Sequence, residues 1–253
     1  MSGGFILTEQ QGAVLQLTIN RPQKKNALTL DMYQGLIDAL CAAEKEKGVR
    51  AVVLTGQGES FSAGNDIIDF VAAANKPDKV ALPLTFLQTI ANFSKPLIAA
   101  VSGDAIGIGT SMLLHCDLVY CTETARFQLP FARLGLVPEG GTSLLLPQQL
   151  GHRLAFELLV VGDPINGNRA QVLGLANEVV NEPLDKALQM ASKLANMAPE
   201  AVSLSKQMLK QHQKDLLQSV LVEEVEQFAK RLSSAEAKEA FSAFIEKRPA
   251  KFS

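Results

Sequence analysis

VPEGGTSLLLP, residues 137–147, sets one carboxylate between a proline and two glycines in otherwise apolar sequence. No basic residue lies between Arg133 and His152 to pair with it. A glutamate at a tight bend is usually a solvated charge, so the meaning of Glu139 depends on what else the chain can bring to it. FSAGND (61–66) is a small-residue turn between a strand-like and a helix-like stretch. Such a turn leaves backbone N–H groups unpaired at the start of a helix, where the dipole favours negative charge. It also reads as an ordinary turn in which Gly64 supplies a positive φ. GDAIGIGTS (103–111) makes either a second set of free amides or close helix–sheet packing through small residues. Met112 breaks the G-x-G-x-x-G fingerprint and no P-loop lysine follows, which disfavours nucleotide phosphate.

Two amide-rich turns and a carboxylate in apolar company suit one task. Forming an enolate from a thioester needs two preorganised N–H donors for the carbonyl oxygen and a base beside the α-carbon. An apolar surround raises the pKa of such a base toward working pH. The residue types permit this assembly without requiring it. Pro138 and the Gly140–Gly141 pair are expected to turn Glu139 inward.

The other polar groups invite plainer readings. Asp117, ahead of a buried strand, is expected to cap or hydrogen-bond, Asp66 to cap a helix start, and Glu123 to be solvated in its TET turn. The acids of the helical tail read as exposed faces. His115, His152 and His212 have no partner at metal-ligand spacing, so no metal site is expected. Cys41, Cys116 and Cys121 lie in apolar surroundings and read as buried, reduced thiols.

The elements that must position these groups follow from periodicity. AVLQLTIN (13–20) alternates as a half-buried strand does, and RPQKKNA forms a polar loop. Thr29 is the expected N-cap of a helix through LDMYQGLIDALCAAEKEK, closed by Gly48. RAVVLTG (50–56), KPLIAAVSG (95–103) and LVYCT (118–122) are short apolar runs that suit strands covered on both faces. A helical stretch ends near Ser94, and DAIGIGTSMLLHCD reads as a Gly-rich turn leading into a short apolar helix. Beyond about residue 180 strand signals fade into helical spacing, and SSAE (233–236) resembles a capping box opening the last helix. Strands alternating with helices, then a helical tail, predict an α/β core with a C-terminal helical extension. Pattern alone does not settle the strand order.

At 253 residues, 47% apolar and 20% charged, the chain can build one large domain with a sizeable core. Its net charge of −2 argues against a role built on a basic field, whether toward nucleic acid or a membrane surface. MSGGFILTEQQG lacks the features of a signal peptide, no apolar run approaches the ~20 residues of a membrane span, and KFS is not an S-K-L ending. An intracellular, soluble, cytoplasmic protein is expected.

Several blocks, in order, resemble the enoyl-CoA hydratase/isomerase (crotonase) superfamily over nearly the whole chain. They are LTINRPQKKNAL, VVLTGQGESFSAGNDI, the long run from KPLIAAVSG through VPEGGTSLLLP, and NGNRAQVLGLANEVV. The resemblance implies an α/β, crotonase-like spiral of ββα repeats over residues 1–190. Residues 191–253 would then form a C-terminal helical region mediating trimer contacts, in a homotrimer or a dimer of trimers. It implies an acyl-CoA substrate, no separate cofactor, and a thioester oxygen held by the backbone amides of Asn65 and Ile108. Ala63, Gly64, Asp66 and Ile67 would line the CoA thiol arm with Asn65. Lys25, Ala27 and Leu28 would lie near the adenosine portion, and Gly107 and Phe131 beside the substrate.

Departures from the family pattern narrow the reaction. Hydratases of this family use two glutamates to activate one water, and those positions here hold Ser111 and Phe131. Phenylalanine cannot act as a base, and serine cannot do so without a partner. The chain looks most similar to peroxisomal-type Δ3,Δ2-enoyl-CoA isomerases, whose PEG glutamate Glu139 matches. One carboxylate suffices for an isomerase, since it can take a proton from C2 and return it at C4. Another crotonase-type reaction, such as hydration or thioester hydrolysis, and a non-catalytic acyl-CoA-binding module remain the alternatives.

Overall fold

The structure, a computed structural model, describes residues 4–69 and 81–252, so Met1–Gly3 and Ser253 of the terminal stretches read above fall outside it. Its main sheet has six strands in the order β1 (Ile6–Gln11), β2 (Val14–Ile19), β3 (Ala51–Gly56), β4 (Leu97–Val101), β6 (Leu118–Cys121), β9 (Glu178–Val179). β1 and β2 form an antiparallel hairpin and every later pairing in this sheet is parallel. A second sheet joins β5 (Asp104–Ile106), β7 (Arg126–Gln128) and β8 (Ile165–Asn166). Main-sheet strands β3, β4 and β6 are each followed by a short partner in the second layer, at Ser62, β5 and β7. This repetition is the ββα spiral that the blocks implied, and it puts short strands inside stretches read as turns.

The helices are α1 (Leu30–Lys45), α2 (Leu82–Asn92), α3 (Ile108–Ser111), α4 (Thr142–Leu150), α5 (His152–Phe156) and α6 (Gly167–Val172). The tail follows with α7 (Pro183–Ala195), α8 (Pro199–Lys210), α9 (Lys214–Leu232) and α10 (Ala235–Ile245). β3 is continuously apolar because its two faces serve two cores. Val52 and Leu54 join the large core under α1 and α2, while Ala51 and Val53 pack beneath α7. Ala187, Ala191 and Ala195 recur every four residues on α7, so one small-residue stripe lies on the sheet.

Local details adjust the expectations. Thr29 does cap α1, its hydroxyl accepting the Met32 amide, but the helix ends at Lys45 with Glu46 as C-cap and Gly48 lies beyond it. The last helix is capped by Ser234, which accepts the Ala237 amide. Glu236 pairs with Arg231 rather than turning back on the cap, so no reciprocal box forms. Cys121 is buried and Cys116 half-buried, but Cys41 is exposed. It falls off the stripe of Tyr33, Leu36, Ile37 and Leu40 by which α1 meets the core. No described helix is long and apolar enough to cross a membrane.

Asp117 takes the hydrogen-bonding role expected of it and also joins α8 to the sheet. Its Oδ2 accepts the Leu97 amide at 2.8 Å and meets Lys206 Nζ at 2.7 Å. Lys206 is 8% exposed and also donates to the Lys95 carbonyl at 2.6 Å, and burial lowers its pKa. Removing one member of a buried pair strands the other's charge, at a cost of about 3 kcal/mol. Lys206→Met is therefore expected to lower unfolding stability by about that amount in urea titrations, well beyond the effect of an exposed lysine such as Lys193.

Candidate active site

The polar loop after β2 is first fixed by its own side chains. Asn26 is buried in a left-handed conformation, accepts the Arg21 amide at 2.8 Å, and donates to the Gln57 and Ser60 carbonyls at 2.9 and 2.6 Å. Backbone bonds then stitch the loop to the 63–66 turn. The Ala63 amide donates to Lys25, Leu28 to Gly64 and Asp66 to Leu28, at 2.8, 2.8 and 2.9 Å. Arg21 reaches across to Asp66 Oδ2 at 2.7 Å. Burial works against the Asp66 carboxylate, but Arg21 and the Asp69 and Ile68 amides outweigh it and hold its pKa below the usual value.

The first turn is laced to the second in the same way. The Ser62 amide donates to Asp104 and the Ile106 amide to Ser62, both at 2.9 Å. Gly64 has φ +93°, and a Cβ there would lie 2.8 Å from the Ile106 carbonyl oxygen, so a side chain would push the turns apart. Beyond the contact, the Gly107 amide donates to Gln128, and Thr110 and Ser111 fold back onto the Gly107 carbonyl. The amides of Asn65 and Ile108 have no acceptor among the described residues, and both residues line one cavity. The Asn65 side chain is engaged separately, accepting the Tyr33 hydroxyl at 2.5 Å.

Glu139 closes the third side of that cavity and is 4% exposed. Ser111 Oγ donates to its carboxyl at 3.1 Å, and Thr142 Oγ1 to its carbonyl at 2.8 Å. Burial and then the nearby Glu224 charge push its pKa from 4.5 up to about 8, against the pull of Ser111. Gly140, at φ +78°, leaves no room for a Cβ, which would lie 2.7 Å from Ser111 Cβ. Its carbonyl accepts from His115 Nε2 at 2.8 Å. Burial lowers the His115 pKa to about 4, with the Gly140 bond opposing and Lys210 adding to the fall, so the ring is a neutral donor. Glu224 accepts the Gly141 and Ser143 amides at 2.6 and 2.9 Å.

The cavity measures about 410 Å³. Ala63, Gly64, Asn65 and Ile67 line it from the first turn, Gly107 and Ile108 from the second, with Phe131 and Glu139 opposite. Phe228, Leu232, Phe241 and Phe244 extend the apolar wall from α9 and α10. Lys25, Ala27, Leu28 and Asp66 do not reach the lining and bear on it through the bonds above. Lys25 Nζ is 3.1 Å from Asp104, which lines the cavity and also meets Arg126 at 2.9 Å. Among the described lining acids, Asp104 is matched by two cations and Glu139 by none. No described group of three or more His, Cys, Asp or Glu side chains could hold a metal ion.

Sequence reasoning missed Arg21, Tyr33, His115 and Glu224. Glu224 carried a signal: Leu217, Leu221, Glu224 and Phe228 share the helical spacing of one apolar stripe, so an acid there points inward. Its burial corrects the reading of the tail acids as exposed.

Comparisons with known proteins bear on the family and the fold. Residues 9–253 match the family described as Enoyl-CoA hydratase/isomerase. The chain is 36% identical to a 2,3-dehydroadipyl-CoA hydratase of Escherichia coli (strain K12), over 98% of both sequences. It is 33% identical to enoyl-CoA delta isomerase 2 of Rattus norvegicus, over 96% of this chain and 64% of that protein's length. A crystal structure of an enoyl-CoA hydratase/isomerase from Pseudoalteromonas atlantica T6c superposes with a TM-score of 0.93 at 38% identity, covering 99% of this chain and 100% of the other. The chain belongs to the enoyl-CoA hydratase/isomerase family, whose members act on acyl-CoA thioesters.

Proposed function

We propose that this protein is a Δ3,Δ2-enoyl-CoA isomerase acting in fatty-acid β-oxidation, with Glu139 as its one acid–base group. The observation that carries the reading is a carboxyl with no cationic partner among the described residues, lifted to a pKa of about 8, in a cavity that also holds two acceptor-free amides. The thioester oxygen sits between the Asn65 and Ile108 amides. Glu139 takes a proton from C2, and the electron pair of that C–H bond flows onto the thioester oxygen to give a dienolate. The pair then returns to form the C2=C3 bond as the C3=C4 bond opens, and Glu139 delivers the same proton to C4. The substrate supplies its own proton, so the step balances without a cofactor.

Each part of the site has a share in this. An amide aimed at the developing oxyanion is worth about 3 kcal/mol. A base with a pKa near working pH removes the C2 proton more effectively than an ordinary carboxylate. Phe131 and the apolar wall keep water from the dienolate. Lys25 and Arg126, at the Asp104 edge, supply positive charge for the nucleotide end of CoA. Exposed Leu204, Met208 and Leu209 on α8 support burial of the C-terminal region in a homotrimer, and the expected compartment is the cytoplasm.

Hydration is the second reading, favoured by the 36% identity to a protein named as a hydratase. Crotonyl-CoA separates the two: negligible hydration is expected beside robust conversion of 3-enoyl-CoA, and robust hydration would reverse the assignment. Glu139→Gln should lower kcat for 3-enoyl-CoA by roughly 10³-fold while CoA-ester affinity, read by calorimetry, stays within a few-fold.

The pH dependence has a definite sign. Glu139 must be ionised to act, so kcat/KM should rise with pH to a midpoint of about 8. For stability the direction is opposite. A carboxyl whose folded pKa is raised stabilises the native state fully below 4.5, and that contribution is lost as pH climbs through about 8. Thermal melts should therefore show Glu139→Gln gaining on the unsubstituted protein between pH 5 and 9.

A further inference from the structure

We propose that Glu224 is a positioning residue for the reaction, holding from α9 the turn that aims Glu139 into the cavity; this rests on the reading of Glu139 as the base. Its two carboxylate oxygens take the Gly141 and Ser143 amides separately, at 2.6 and 2.9 Å, at the start of α4. α9 also packs directly on this turn, since a Cβ on Gly141 would lie 2.6 Å from Leu217 Cδ1. His115 holds the Gly140 carbonyl, so the two residues after Glu139 are fixed by separate partners. Packing alone would be met by a leucine at 224, in line with Leu217 and Leu221. A buried acid there carries a desolvation cost that hydrogen bonds to an open helix end offset.

The same carboxylate acts on Glu139 through space. Its negative charge disfavours ionisation of the base and so keeps it a stronger proton acceptor. The other titratable groups facing the pair are Tyr33 from α1, hydrogen-bonded to Asn65, His115 with Lys210 behind it, and Glu223 beside Glu224 on α9. Tyr33 and His115 are both neutral at working pH, so Glu224 is the charge that Glu139 senses most. One side chain supplied by the C-terminal helices thus positions Glu139 and adds to the basicity that burial gives it.

Glu224→Gln and Glu224→Asp test this. The amide has one acceptor oxygen for two N–H donors and no charge, whereas aspartate keeps both oxygens and the charge. Glu224→Gln is expected to lower kcat roughly ten- to a hundredfold with KM for 3-enoyl-CoA within about twofold. The midpoint of its kcat/KM profile should move down by about one pH unit, and Glu224→Asp should recover part of both effects. A ¹³C NMR titration of the Glu139 carboxyl, its signal assigned by loss in Glu139→Gln, should show the same downward shift. An unmoved midpoint and an unmoved Glu139 titration, or losses that merely follow thermal stability, would overturn the proposal. Normal turnover by Glu139→Gln would instead remove Glu139 as the base, while the NMR titration would still decide whether Glu224 acts on it.

Discussion

Two loops far apart in sequence share a strip of backbone hydrogen bonds, Ser62 to Asp104 and Ile106 to Ser62, and the rest of the site is arranged around that strip. Peptide groups that bond to one another there cannot also bond outward, so the free amides fall just past it, at Asn65 and Ile108. The close approach needs a residue without a side chain at Gly64. The main sheet supplies the spacing, because β3 and β4 are parallel neighbours and their following turns emerge side by side. Amides fixed in this way need little reorganisation when charge develops near them, which is the condition under which such donors are most effective.

Glu139 presents the complementary problem of keeping an acid dry without neutralising it. The chain could have placed a lysine or arginine beside it, as it did for Asp66 and Asp104. Those two carboxylates are locked in ion pairs, and the Asp66 pKa falls. Glu139 has no cation beside it among the described residues, and burial, with the repulsion of Glu224 added, raises its pKa against the pull of the Ser111 hydroxyl. The same functional group is thus held ionised or pushed toward its neutral form according to its burial and the charge opposite it.

Much of this was legible in the residues. Apolar runs located β3, β4 and β6, Thr29 marked the start of α1, and the glycines flanked the turns that bear the free amides. The short strands β5, β7, β8 and β9 were not, since two or three residues carry too little periodicity to be told from a turn. Tyr33, His115 and Glu224 were hidden for another reason: their roles depend on partners 25 to 83 residues away. A polar residue on an apolar stripe announces that it is buried, but only the folded chain says what it meets. The polar RPQKKNA loop shows the converse, because Asn26 organises it through contacts that leave no repeating pattern.

The bond from Glu224 to Gly141 joins positions 83 residues apart. A ribosome makes residue 141 well before residue 224, so the spiral with both amide turns can be complete while the turn after Glu139 still lacks its partner. If Glu224 positions the base as proposed, competence is a late event in the life of the chain, since long-range contacts close after local ones. A partly synthesised copy would hold the acid and the amides without the geometry that couples them.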